Sequence, residues 1–70
     1  MADDDTSKVT ANLPNEDILR LSQLAKNKHT TKTAALVRAI RTTEYLDDAE
    51  KKGAKILIQD GDTIREVVFK

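Results

Sequence analysis

Lys8-Val9-Thr10-Ala11-Asn12-Leu13 is the stretch whose reading decides the fold. Apolar side chains fall at Val9, Ala11 and Leu13, and polar ones at Lys8, Thr10 and Asn12. A period of two puts the two sets on opposite faces of an extended chain, so the pattern predicts a half-buried strand over 8–13. The backbone donors and acceptors of a strand need partners. The next strand-forming segment begins more than forty residues later. Pairing with the same strand of a second copy would supply those partners.

Size points the same way. Seventy residues make one small domain, and chains this short are marginal unless disulfides, a metal or a partner subunit supplement the core. There is no Cys, and His29 is the single His, so neither a disulfide framework nor a thiolate or His-pair metal site is expected. Tyr45 and Phe69 are the only aromatic core fillers. A homodimer is therefore expected before any motif is considered.

C-terminal to the strand, Pro14 suits the first turn of a helix. Asn15, Glu16 and Asp17 offer a cap and acids that the helix dipole favours. Ile18, Leu21, Leu24 and Ala25 then recur at helical spacing, with Leu19 alongside, which predicts a helix over 15–27. The polar Asn27-Lys28-His29-Thr30 breaks the period, and Thr31 is placed to cap a second helix over 32–52. Ala35, Leu36, Ala39, Ile40, Thr43, Leu46 and Ala49 lie along one side of it. Asp47 with Lys51 and Asp48 with Lys52 are i,i+4 pairs in the favourable order, and Gly53 is a good stop. The second helix is longer than a small core requires, so its C-terminal half is expected to be exposed or to face a partner.

Residues 54–70 change character. Ile56-Leu57-Ile58 and Thr63-Ile64-Arg65-Glu66-Val67-Val68-Phe69 flank Gln59-Asp60-Gly61-Asp62, a strong hairpin signal. A two-residue Asp60-Gly61 turn would set Lys55 opposite Glu66 and Leu57 opposite Ile64. A three-residue turn would gather Ile56, Ile58, Ile64 and Val68 on one face. Both registers remain open at this point. An isolated hairpin is marginal in water, so this one is expected to pack on the second helix, as a cap on the chain itself, or on another chain.

The net charge is zero, but it is unevenly spread. Residues 1–7 carry Asp3, Asp4 and Asp5 and read as a disordered acidic tail. Residues 8–41 carry seven cations against Glu16 and Asp17, and residues 42–70 carry seven acids against five bases. A dimer would hold a region of +10 between acidic ones. No run approaches a signal-peptide core or a membrane span, so the chain reads as soluble and cytoplasmic. No Gly-rich phosphate loop and no nucleophile with a base is visible. Neither an enzyme nor a cofactor is expected.

The order of these features resembles the ribbon-helix-helix family of DNA-binding proteins, of the Arc, MetJ and CopG kind. The matching features are the alternating Lys8–Leu13, Pro14 before an acidic first turn, the Ile18/Leu21/Leu24-Ala25 stripe, and Thr30-Thr31-Lys32-Thr33-Ala34 at the start of the second helix. The resemblance covers a little over half of the chain, to about residue 46. It implies a mainly α fold with short β, an intertwined homodimer whose paired strands form a ribbon in the major groove of double-stranded DNA. The C-terminal hairpin is an addition to that minimal fold. Only Lys8 is cationic in the strand, where relatives often carry a second basic residue.

The resemblance places Lys8, Thr10 and Asn12 against base edges. The chemistry agrees: Lys donates to guanine O6 and N7, Asn pairs bidentately with adenine, and Thr bonds either or touches a thymine methyl. On residue chemistry alone these are ordinary members of a wet strand face. The first amides of the second helix, near Lys32, Thr33 and Ala34, suit a phosphate, and the resemblance carries a phosphate clamp to Thr31, Lys32 and Thr33. Lys28 and His29 are weaker candidates, and His29 reads first as a turn residue. Pairing with Glu44 and Tyr45 is the expectation for Arg38 and Arg41, with flanking phosphates as the alternative. The function expected is that of a bacterial transcriptional repressor. The alternatives are an antitoxin whose C-terminal segment binds a toxin, and a dimerisation module that does not touch DNA.

Overall fold

The computed structural model describes residues 5–68. It is mainly helical, with helix α1 (Asn15–Asn27), helix α2 (Lys32–Lys51), and an antiparallel hairpin of strands β1 (Leu57–Asp60) and β2 (Thr63–Glu66). Most of the acidic tail, together with Phe69 and Lys70, lies outside the described residues. Residues 6–14 carry neither helix nor strand. Within a single chain the expected strand over 8–13 therefore joins no ladder; the sheet contains β1 and β2 alone. Val9 is 85% exposed and Leu13 41%, so the described residues leave much of the apolar side of that segment uncovered.

Helix α1 begins on Pro14, whose φ of −54° and ψ of 145° place it just outside the helix. Its carbonyl accepts from the amides of Asp17 (3.0 Å) and Ile18 (3.1 Å). Asn15 is thus the first helical residue and does not cap; no side chain caps this end. Glu16 and Asp17 favour the positive end of the helix dipole. They also hold Arg20, which donates to Asp17 Oδ1 at 2.7 Å and Glu16 Oε2 at 3.3 Å.

The two helices end in the same way. After α1, His29 adopts φ +52°, the Thr30 amide donates to the Ala25 carbonyl (2.9 Å) and the His29 amide to Lys26 (3.1 Å). After α2, Gly53 adopts φ +88°, with Ala54 donating to Ala49 (3.0 Å) and Gly53 to Glu50 (2.9 Å). Both are Schellman motifs, in which a left-handed residue folds the chain back on the last open carbonyls. Glycine takes that conformation freely, whereas His29 takes it against the steric preference of an L-residue.

Helix α2 starts where expected. Thr31 Oγ1 accepts from the Ala34 amide at 3.1 Å. The helix stops at Lys51, one residue short of the expected end, because Lys52 has become the C-cap. The Asp47–Lys51 ion pair forms at 3.1 Å. The expected Asp48–Lys52 pair is not among the ion pairs of the described residues, although the Lys52 amide still reaches the Asp48 carbonyl at 3.3 Å.

The two helices pack on each other through Ala25 and Ala35, the only buried hydrophobic residues among those described. Small side chains let the backbones approach but bury little area. Leu13, Ile18, Leu24, Leu36 and Val37 are left substantially exposed, and Ile40 is 61% exposed. Ala35, Ala39 and Leu46 lie toward α1. Leu36 and Ile40 lie round the helix from them, so α2 presents apolar groups on two sides. Burying one large aliphatic side chain fully contributes about 1.5–3 kcal/mol, and most of that gain is unrealised within one chain.

The hairpin forms in neither of the registers read from sequence. Leu57 pairs with Glu66, Ile58 with Arg65, Gln59 with Ile64 and Asp60 with Thr63. The loop is Gly61-Asp62, with φ +62° at Gly61 and no positive φ at Asp62, the pattern of a II′ turn with Gly in its first central position. The Val67 amide extends the ladder to the Ile56 carbonyl at 2.8 Å. This register divides the apolar residues, with Ile56, Ile58 and Val67 on one face and Leu57 and Ile64 on the other. Contacts between elements join α1 to α2 and β1 to β2, and none joins the hairpin to a helix. The expected packing against the second helix does not occur.

Candidate nucleic-acid interface

The residues singled out for DNA fall in two places. Lys8, Thr10 and Asn12 are exposed in the segment that leads into α1. Lys28, Thr31, Lys32 and Thr33 are drawn together by the tight turn between the helices, at the far end of α1. A 13-residue helix separates the two groups, about 20 Å at 1.5 Å per residue.

The turn builds its group from local forces. The Schellman closure reverses the chain at His29, and Thr31 then caps α2. That cap occupies the Ala34 amide, and the Ala35 amide reaches the Thr31 carbonyl at 3.0 Å. The outward donors at this end are therefore the amides of Lys32 and Thr33; Ala34, expected as a third, is engaged. The Thr31 hydroxyl is engaged as the cap acceptor, while the Lys32 ammonium and the Thr33 hydroxyl stand exposed. α2 has no acid in its first turn, so nothing local neutralises the positive end of its dipole. His29 contributes through its backbone. The available sign was a polar turn without Gly in which Asn27 and His29 are both of types enriched in the left-handed region; His29 is the one that adopts it.

Arg38 and Arg41 were expected to pair with Glu44 and Tyr45. They form no ion pair among the described residues; the ion pairs belong to Arg20, Lys51 and Lys55. A groove of about 530 Å³ runs between the helices, floored by Leu24, Ala35, Ala39 and Leu46, with Lys28, Thr30 and Arg38 also lining it. A second, of about 500 Å³, lies beside it on α2 among Ala34, Val37, Arg38, Arg41 and Thr42. Among the described residues no cluster of three or more His, Cys, Asp or Glu could hold a metal ion, and no helix is long and apolar enough to cross a membrane. Comparison with known proteins finds no matching family model, no matching curated protein and no matching solved structure.

Proposed function

We propose that this chain is a sequence-specific DNA-binding protein of ribbon-helix-helix type, acting as a homodimer and serving as a transcriptional repressor. The observation that carries the proposal is the unfinished core. Two alanines are buried among the described residues, while Val9, Leu13, Ile18, Leu24, Leu36 and Ile40 stand open. A second copy offers matching surfaces: the backbone of 8–13 pairs with its twin, Val9, Ala11 and Leu13 of both copies turn to one face against the helices, and the free faces of α2 meet. That arrangement turns Lys8, Thr10 and Asn12 outward as a two-stranded reading edge. It leaves Lys32, Thr33 and their amides for phosphates on either side. Base contacts would choose the sequence, and phosphate contacts would set position and affinity.

Two measurements test this reading together. Light scattering over a dilution series should return twice the chain mass, and duplex affinity should fall steeply with salt as counterions are displaced. A folded monomer would end the proposal.

One observation favours an additional role. The hairpin touches neither helix and exposes apolar groups on both faces, which suits capture of a protein partner by strand addition at its edge, as in an antitoxin. Co-purification of a stoichiometric partner that Ile64→Lys abolishes would support that role.

A further inference from the structure

Three cations line the two grooves without a counterion. Lys28 and Arg38 line the groove between the helices, and Arg38 and Arg41 line the one beside it, so Arg38 belongs to both. All three are exposed and form no ion pair among the described residues. The contrast with Arg20 shows that acids within one turn can hold an arginine in this protein, at 2.7 Å from Asp17. Arg41 has Glu44 one turn away and does not engage it. Arg38 has no acid at either i±3 or i±4. The rim starts at the turn that carries Thr30 and runs along α2 for about 13–14 Å from its first residue, at 1.5 Å per residue.

We infer that Lys28, Arg38 and Arg41 form a second backbone-binding track for double-stranded DNA, continuing the contact surface from the start of α2 along its flank. The inference rests on the DNA-binding reading above and extends it to residues on the body of the helix. Charge complementarity selects the occupant. A row of unpaired cations, two of them guanidiniums able to grip phosphate with paired donors, matches a regularly spaced polyanion. Among the other lining residues, most of them apolar, Thr30 and Thr42 carry hydroxyls that can donate to phosphate oxygens. The track carries no base-reading geometry, so it adds affinity without adding sequence choice.

The test compares the full-length protein with the Arg38→Gln/Arg41→Gln double variant on a specific and on a scrambled duplex across a salt series. Circular dichroism and light scattering confirm that fold and mass are unchanged. Each phosphate contact contributes about 0.9 to the slope of log affinity against log salt. Losing two residues from each of two copies should flatten that slope by roughly two to four while the ratio between duplexes stays constant. An unchanged slope in a variant whose parent still binds steeply overturns the track alone. A parent that binds neither duplex overturns the track and the DNA reading together. If poly-glutamate captures the parent but not the variant while the DNA slopes coincide, the rim serves an acidic protein and the inference is overturned.

Discussion

The helical half and the hairpin arm of this chain leave opposite things unfinished. In residues 8–41, main-chain geometry is complete around the turn, with capped and closed helix ends, but the side chains await company: one cation of seven is paired, and aliphatic groups stand open. In the hairpin arm beyond Gly53, one of the two described cations is paired, Lys55 with Glu66 at 4.0 Å. Its turn is well formed, yet neither of its strands packs on a helix among the described residues. The first region lacks a core partner and a counterion. The second lacks only a surface to lie on. The comparison teaches that the molecule divides where Gly53 reverses the chain, and that the open apolar groups of the helices and most of the unpaired cations fall on the N-terminal side.

Substitutions can break that division, and the largest effect should come from charging the open face of α2. Ile40→Asp would place a carboxylate in the proposed dimer core. An unpaired buried charge costs several kcal/mol, so sedimentation should report monomer and the helical signal should collapse. The matching change in the arm, Ile64→Lys, should leave the mass and melting temperature of the free protein nearly unchanged. Equal damage from both would erase the comparison.

Next in size are the reading residues. Asn12→Ala or Lys8→Ala should lower discrimination between operator and scrambled duplex by about 1–3 kcal/mol per contact, measured by titration at fixed salt. Lys32→Ala should weaken both duplexes alike. Thr31 sharpens the picture because it serves the fold first. Thr31→Ala should cost about 1 kcal/mol of stability through the lost cap, seen as a fall of about 4–8 °C in Tm for a chain of this size. Thr31→Asp should keep the cap but repel phosphate, retaining stability while losing affinity. The smallest effect should be a gain: His29→Gly relieves the left-handed strain and should stabilise by up to about 1 kcal/mol in chemical denaturation.

Much of this was legible before the structure. The period of apolar residues after Pro14 gave α1 its bounds, and Thr31 marked the start of α2, because capping and amphipathic patterning are local. The hairpin's existence was legible from Asp60-Gly61, but its register was not. Ile56-Leu57-Ile58 puts apolar groups on both faces, and register is weakly specified when neither face is uniquely buried. The left-handed His29 hid for a different reason: the turn needed that conformation and no glycine advertised it. Arg38 and Arg41 were assigned to neighbours by proximity along the chain; the fold leaves them unclaimed. For the site, Lys8, Thr10, Asn12, Lys28, Thr31, Lys32 and Thr33 are all at the surface, and the joint use proposed for them would depend on a second copy that no single-chain pattern can display.

The Schellman closures carry one more consequence. At 28–30 and at 52–54 the chain changes direction on main-chain hydrogen bonds alone. Apart from the conformational demand at His29 and Gly53, those corners make almost no claim on side-chain identity. Lys28 and Thr30 can therefore be exchanged for other polar residues without disturbing the angle between the helices. A scaffold of this kind can be retuned toward a different anionic surface by altering its corners while its architecture stays fixed.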